Sequence, residues 1–375
     1  MTTVLKNKYA ETGFPNDPIL LDPKMIVRTD VEAVKVVVDA CLKPEKSPLI
    51  KSNLAENIGI HSLWFKDERN RMNMGSFKAI GATYVLAREA SEKVGLNASE
   101  DDLKKSLEGR TYVTASAGNH GLSLANGARL FGAKAIIYLS KTVPTEFAEF
   151  IKTYGADVVV AGENYEASMA AAAEAATQNN WTLLSDSTWE NYSAGVDVMA
   201  GYLIMASEAF EECPVTPTHI FLQAGIGGFP ASVAAFARRY YGNEPKIIIV
   251  EPTEAPVIQA SIAAGKAVEV KGEVSIMGRL DCKVPSLAAL SSLASTANYC
   301  MTITDQESTD CLIELSNNGL ATSESGGAGY AALKKAMKNH DCELSSDSKV
   351  MLISVSYTHL RAHETGRNLV CRLLL

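Results

Sequence analysis

From about residue 60 the chain repeats one pattern, a short β-branched or apolar run followed by a helical segment. Clear runs are Tyr112-Val113-Thr114-Ala115, Ala135-Ile136-Ile137-Tyr138-Leu139 and Asp157-Val158-Val159-Val160. Later come Thr218-His219-Ile220-Phe221-Leu222, Lys246-Ile247-Ile248-Ile249-Val250 and Lys349-Val350-Met351-Leu352-Ile353. These runs do not alternate apolar with polar residues, so both faces of each strand must be covered. That is the condition of a parallel sheet between helical layers. The Ala-rich stretch 165–177 is strongly helical by propensity, and 31–42 also reads as a helix. With 375 residues the chain can build two α/β domains, or one with a subdomain. The expected class is α/β, with two open, twisted, mainly parallel sheets and helices on both faces.

Two of these runs lead into glycine-rich turns and then helices: Ser116-Ala117-Gly118-Asn119-His120-Gly121 and Gln223-Ala224-Gly225-Ile226-Gly227-Gly228. A turn of this kind aims backbone amides and a helix N-terminus at one point, which suits an anion. It can equally be a turn and nothing more. Upstream lies Ser76-Phe77-Lys78-Ala79, at the start of another expected helix. Lys78 is either an ordinary lysine reaching for solvent or a desolvated amine that forms an imine with a carbonyl cofactor. One such lysine followed by two anion-cradling turns reads as a pyridoxal phosphate site. Lys78 then carries the imine, held near neutral by burial, and Gly225, Ile226, Gly227 and Gly228 cradle the phosphate. Asn119 suits the ring oxygen. Ser116, Ala117 and Gly118 suit a substrate carboxylate. Asp186, where ligand sites of parallel sheets lie, is expected at the substrate; a helix cap is its plain alternative. Ser354 is either the ring-nitrogen partner or a turn serine. His120 reads as a packing histidine.

A net charge of −8 argues against nucleic acid as a partner, because phosphate neutralisation needs clustered Lys and Arg. No apolar run reaches the roughly 18 residues of a membrane span, and the first residues lack a signal-like apolar stretch. The seven cysteines are scattered without CxxC pairs. They suit reduced thiols in a cytoplasmic protein, with no disulfide frame and no metal site.

Taken together, these motifs resemble the fold-type II pyridoxal phosphate enzymes, the tryptophan synthase β-like group. The likeness extends from about Pro48 to Val355 and is greatest to the diaminopropionate ammonia-lyase family. It includes Leu63-Trp64-Phe65-Lys66-Asp67-Glu68, the turns above, Asp186-Ser187-Thr188-Trp189-Glu190-Asn191-Tyr192, Ile276-Met277-Gly278-Arg279-Leu280-Asp281-Cys282 and Ser323-Glu324-Ser325-Gly326. The resemblance implies a cofactor, pyridoxal 5'-phosphate, a small amino-acid substrate and a homodimer. It implies a large domain of residues 1–83 and 196–356 with a small domain, 84–195, inserted into it. The implied reaction removes ammonia from 2,3-diaminopropionate to give pyruvate and ammonia, with Lys78 taking the Cα proton and Asp186 facing the β-amine.

Two departures bear on this. The family carries an aspartate just before its Gly-Asn-His, used as a base toward the D-isomer, where this chain has Ala117. A methyl group takes no proton, so the L-isomer is expected to be preferred. The Ser-Ala-Gly-Asn-His form also resembles serine and threonine dehydratases, making a hydroxy amino acid, including hydroxyaspartate, the rival substrate. A truncated cofactor-binding protein without turnover is a further alternative. It arises because the last strand is followed by Ser356-Tyr357-Thr358-His359 instead of the family's Thr-Glu-Gly-Asp-type turn. Residues 357–375 resemble translated adapter read-through and are expected to be foreign to the fold.

Overall fold

A computed structural model describes residues 3–354; the segment 357–375 lies outside the described residues. Among the described residues the strands form two sheets. The larger contains β1 (Val4–Lys6), β2 (Leu49–Ser52), β3 (Ser62–Asp67), β8 (His219–Gln223), β9 (Lys246–Pro252), β10 (Tyr299–Ile303) and β11 (Lys349–Ser354). Their order is β1-β10-β9-β8-β11-β3-β2. The smaller sheet contains β4 (Thr111–Ala115), β5 (Lys134–Leu139), β6 (Asp157–Val160) and β7 (Thr182–Leu183), in the order β6-β5-β4-β7.

All neighbours in the small sheet are parallel. So are those from β10 through β9, β8 and β11 to β3. Only the edge strands β1 and β2 run antiparallel. The expected α/β class with two mainly parallel sheets is what forms. Every residue of β8 is buried, as are Ile247 to Pro252 of β9. Burying a Val, Leu or Ile side chain is worth about 1.5–3 kcal/mol, so these strands hold the sheet and fix where its loops emerge. The β10 run, Tyr-Cys-Met-Thr-Ile, is not β-branched throughout. It is a strand because all five residues are buried beside β9 and β1.

The helix Ala79–Val94 packs against the helix Asn119–Phe131 at close range. A Cβ on Gly127 would lie 3.1 Å from the Thr83 Cα, so any larger residue would push the two helices apart by a few tenths of an ångström. The Thr83 hydroxyl donates to the Ser123 carbonyl at 3.0 Å, and the Ser123 hydroxyl to the Ala79 carbonyl at 2.9 Å. These bonds lock the start of one helix, where Lys78 stands, to the helix that follows β4 in the small sheet.

Candidate active site

Lys78 caps the N-terminal end of the helix Ala79–Val94, and its backbone N–H donates to the buried Ser76 hydroxyl at 3.2 Å. Its Nζ lies 2.6 Å from Asp186 Oδ2. The expectation of a desolvated amine is not met: the Lys78 side chain is 32% exposed and paired with a carboxylate. The loop brings the amine onto a carboxylate and not into an apolar pocket. Burial alone would raise the Asp186 carboxyl, but the Lys78 ammonium and His120 hold it well below the usual carboxylate range. Asp186 is therefore an anion with a cation already in contact. It lies three residues beyond β7, at the carboxyl end of the small sheet.

The second turn, Ser116 to Gly118, leaves β4 at the same end. The Ser116 hydroxyl accepts from the backbone N–H groups of Gly118 and Gly121, both at 3.2 Å, and so closes the turn. Gly121 must lack a side chain, since a Cβ there would lie 2.6 Å from the Ser116 carbonyl. Asn119 is buried at the first position of the following helix. His120 is buried, with Nε2 2.8 Å from the Leu184 carbonyl. That partner requires the proton on Nε2. Burial pushes the ring's pKa down, against the pull of Asp186. His120 thus ties the β4 turn to the segment carrying Asp186, in keeping with a packing role.

In the larger sheet, β8 ends in the turn at Gly225 and Ile226, both partly exposed. The helix Gly228–Tyr241 starts there, with Gly227 as its N-cap at φ +97°. A Cβ on Gly225 would lie 2.9 Å from the Arg279 carbonyl oxygen and 3.0 Å from Cys282 Sγ. Chain 279–282 therefore closes over this turn, with the Ile226 N–H donating to the Cys282 sulfur. Ser354 ends the adjacent strand β11. It is buried, and its Oγ has no hydrogen-bond partner among the described residues. The Asp186 carbonyl would lie 3.6 Å from a Cβ on Gly228, so the Asp186 segment also borders this turn.

Two features were not read from the sequence. Arg279 belongs to a segment quoted for its likeness, yet was assigned no role; its side chain reaches across to Gly118. The only signal was an arginine in a mainly apolar stretch. The other is a buried charge cluster behind the Lys78 loop. Arg71 Nη2 lies 2.7 Å from Glu68 Oε1 and 2.6 Å from Glu208 Oε2, and Lys66 Nζ is 2.9 Å from Glu208 Oε2. The Glu68 N–H donates to the Ser354 carbonyl at 3.0 Å. From this anchor the chain passes through Met72 (φ +51°) and Asn73 (φ +58°) toward Lys78. The cluster joins Arg71 to Glu208, 137 residues away in sequence, which no local pattern announces.

These residues fit a phosphorylated aldehyde cofactor. The glycine turn at a helix N-terminus suits a dianion, the unpartnered Ser354 hydroxyl suits a ring heteroatom, and Lys78 supplies an amine. Comparison with known proteins agrees. A family model described as "Pyridoxal-phosphate dependent enzyme" matches residues 42–355. The diaminopropionate ammonia-lyase of Salmonella typhimurium is 29% identical, over 81% of this chain and 82% of its own length. That of Escherichia coli is 34% identical over 62% of this chain, an alignment spanning 61% of that enzyme. A crystal structure of the Escherichia coli enzyme "in complex with aminoacrylate-PLP azomethine reaction intermediate" superposes with a TM-score of 0.82 and 26% identity. That match covers 95% of this chain and 93% of the other.

Proposed function

Because the chain belongs to the pyridoxal-phosphate dependent enzymes, we propose that it eliminates the β-amino group of 2,3-diaminopropionate, with the L-isomer preferred, giving pyruvate and ammonia. The similarity to diaminopropionate ammonia-lyases supports the reaction and the cofactor. The observation that carries the residue assignment is the 2.6 Å contact between Lys78 and Asp186, an amine and a carboxylate at the junction of the two sheets.

When bound, pyridoxal phosphate supplies an electron sink for the charge left at the substrate Cα. Gly225, Ile226, Gly227 and Gly228 would hold its phosphate, Asn119 its ring oxygen and Ser354 its ring nitrogen. Lys78 would attach it and then move the Cα proton. The turn of Ser116, Ala117 and Gly118 would orient the substrate carboxylate. Asp186, anionic throughout the working pH range, would hold the β-ammonium before it leaves, with the charge of its partner Lys78 replaced by that of the substrate. Ala117 offers no second base, which leaves Lys78 as the proton acceptor and gives the stereochemical preference. The small unit, 84–195, would close over the carboxylate and exclude water. No helix among the described residues is long and apolar enough to cross a membrane. The proposal includes a cytoplasmic homodimer, tested by sedimentation.

Ala117 also favours the second reading, a dehydratase of serine, threonine or hydroxyaspartate. Keto-acid formation compared across L- and D-diaminopropionate, L-serine and L-threonine separates the two. The highest kcat/KM is expected with L-diaminopropionate; a higher value with L-serine rejects the proposal.

A further inference from the structure

Arg279 touches both turns of the site. Its carbonyl oxygen would lie 2.9 Å from a Cβ on Gly225, and its Nη1 2.3 Å from a Cβ on Gly118. The first contact is backbone and fixes the residue against the larger sheet, with the Arg279 N–H donating to Ser325 Oγ at 3.3 Å. The second puts the guanidinium on the Cα of Gly118, in the turn read above as the carboxylate cradle. That approach exists only because residue 118 has no side chain. Arg279 is half-buried. Burial pushes its pKa down to about 10, with the neighbouring Cys282 pulling it up. It remains a cation at neutral pH, and one poor in hydration.

We propose that Arg279 is a substrate-binding residue, whose guanidinium takes the substrate α-carboxylate against the Ser116–Gly118 turn. This rests on the reading of the site as one for an amino acid. Three facts point the same way. The guanidinium is planar and offers a fork matched to a carboxylate. A partly desolvated cation gains more from an anion than an exposed one does. Ala117, beside Gly118, brings no carboxylate of its own to compete. The site is then polarised, with cationic Arg279 at the Gly118 turn and anionic Asp186 by Lys78. A zwitterionic substrate with a second amine is aligned by both ends.

The test uses the holoenzyme and compares each amino acid with its carboxamide, which keeps the amines but loses the negative charge. Wild type, Arg279→Met and Arg279→Lys are titrated with L-serine and L-serinamide, reading cofactor absorbance. Their KM and kcat are measured with L-diaminopropionate. The expected result is a roughly ten- to hundredfold loss of affinity for the acid in Arg279→Met, little change for the amide, and an intermediate loss in Arg279→Lys. KM rises more than kcat falls. The acid-to-amide ratio does not depend on which amino acid is turned over, so a serine-preferring enzyme would reject the proposed reaction and still test Arg279. An unchanged ratio in Arg279→Lys and Arg279→Met overturns the proposal. So does a loss confined to cofactor affinity, which would make Arg279 a phosphate ligand.

Discussion

Replacing Gly227 by alanine tests the phosphate cradle without touching a charged group. Its φ of +97° lies in the region where an L-residue pays about 1–2 kcal/mol. The added Cβ would also come within 3.1 Å of Ile258 Cδ1, 3.3 Å of Ala289 Cβ and 3.4 Å of Leu293 Cδ1. All three neighbours are buried, so they yield little, and overpacking adds about 1 kcal/mol. The sum is about 2–3 kcal/mol, relieved only by moving the turn. A shift of a few tenths of an ångström takes amides out of the roughly 2.7–3.2 Å hydrogen-bond range. Cofactor affinity should then fall at least about tenfold, or 1.4 kcal/mol. Gly228→Ala is the control: its φ is not left-handed and its Cβ would meet nothing nearer than 3.6 Å. Urea unfolding with and without added pyridoxal phosphate, and a cofactor titration, measure both effects. If Gly227→Ala unfolds and binds cofactor like wild type, the cradle is not where we place it.

Lys78→Ala should lower turnover by about two to four orders of magnitude while the fold persists, since the side chain is partly exposed; borohydride reduction followed by mass spectrometry should find no lysine adduct. Asp186→Asn should cost L-diaminopropionate about ten- to hundredfold in kcat/KM and L-serine less, because only the former brings a β-ammonium; equal losses would remove Asp186 from the leaving-group side. Arg71→Met should destabilise by about 3–5 kcal/mol, read by denaturant unfolding, because Glu68 is left buried without its cation and Glu208 keeps only Lys66. Glu251 titrates in the opposite sense to most carboxyls: burial raises its pKa to about 8, against the pull of the Val257, Ile258 and Gln259 amides. The folded state therefore keeps a proton that the unfolded chain releases near its ordinary value of about 4.3. Its contribution is full below that value and shrinks as pH rises to 8, so stability should fall between about pH 4.3 and 8 and level off above. Glu251→Gln should flatten that slope in urea titrations, and an unchanged slope would assign it to another group.

The β-branched runs announced β4, β5, β8, β9 and β11, because strands covered on both faces have little choice of residue. The run Asp157–Val160 also forms a strand, but at the sheet edge and largely exposed, against the expected double coverage. The glycine turn after β8 was legible for a related reason: Gly227 takes a positive φ and Gly225 lies close under the Arg279 carbonyl. What stayed hidden depends on distance in the chain. Lys78 and Asp186 are 108 residues apart, and only the folded sheets make them neighbours. The openness of Lys78 was likewise invisible, because its flanking Phe77 and Ala79 are buried and suggest the same for the lysine between them. Arg279 reads locally as a surface arginine until its loop is laid across Gly225.

The charge cluster of Lys66, Glu68, Arg71 and Glu208 has a thermal consequence. The cost of stripping water from ions falls as temperature rises, whereas the gain from apolar burial levels off. A loop held by such ions loses less of its hold on warming than one held by Leu and Val alone. The stretch from Arg71 to Lys78 is therefore fastened by the kind of contact that heat weakens least. On heating, the exposed edges of the sheets should slacken first and the mooring of Lys78 last, so that loss of activity should follow the melting of the frame and not the drift of this lysine.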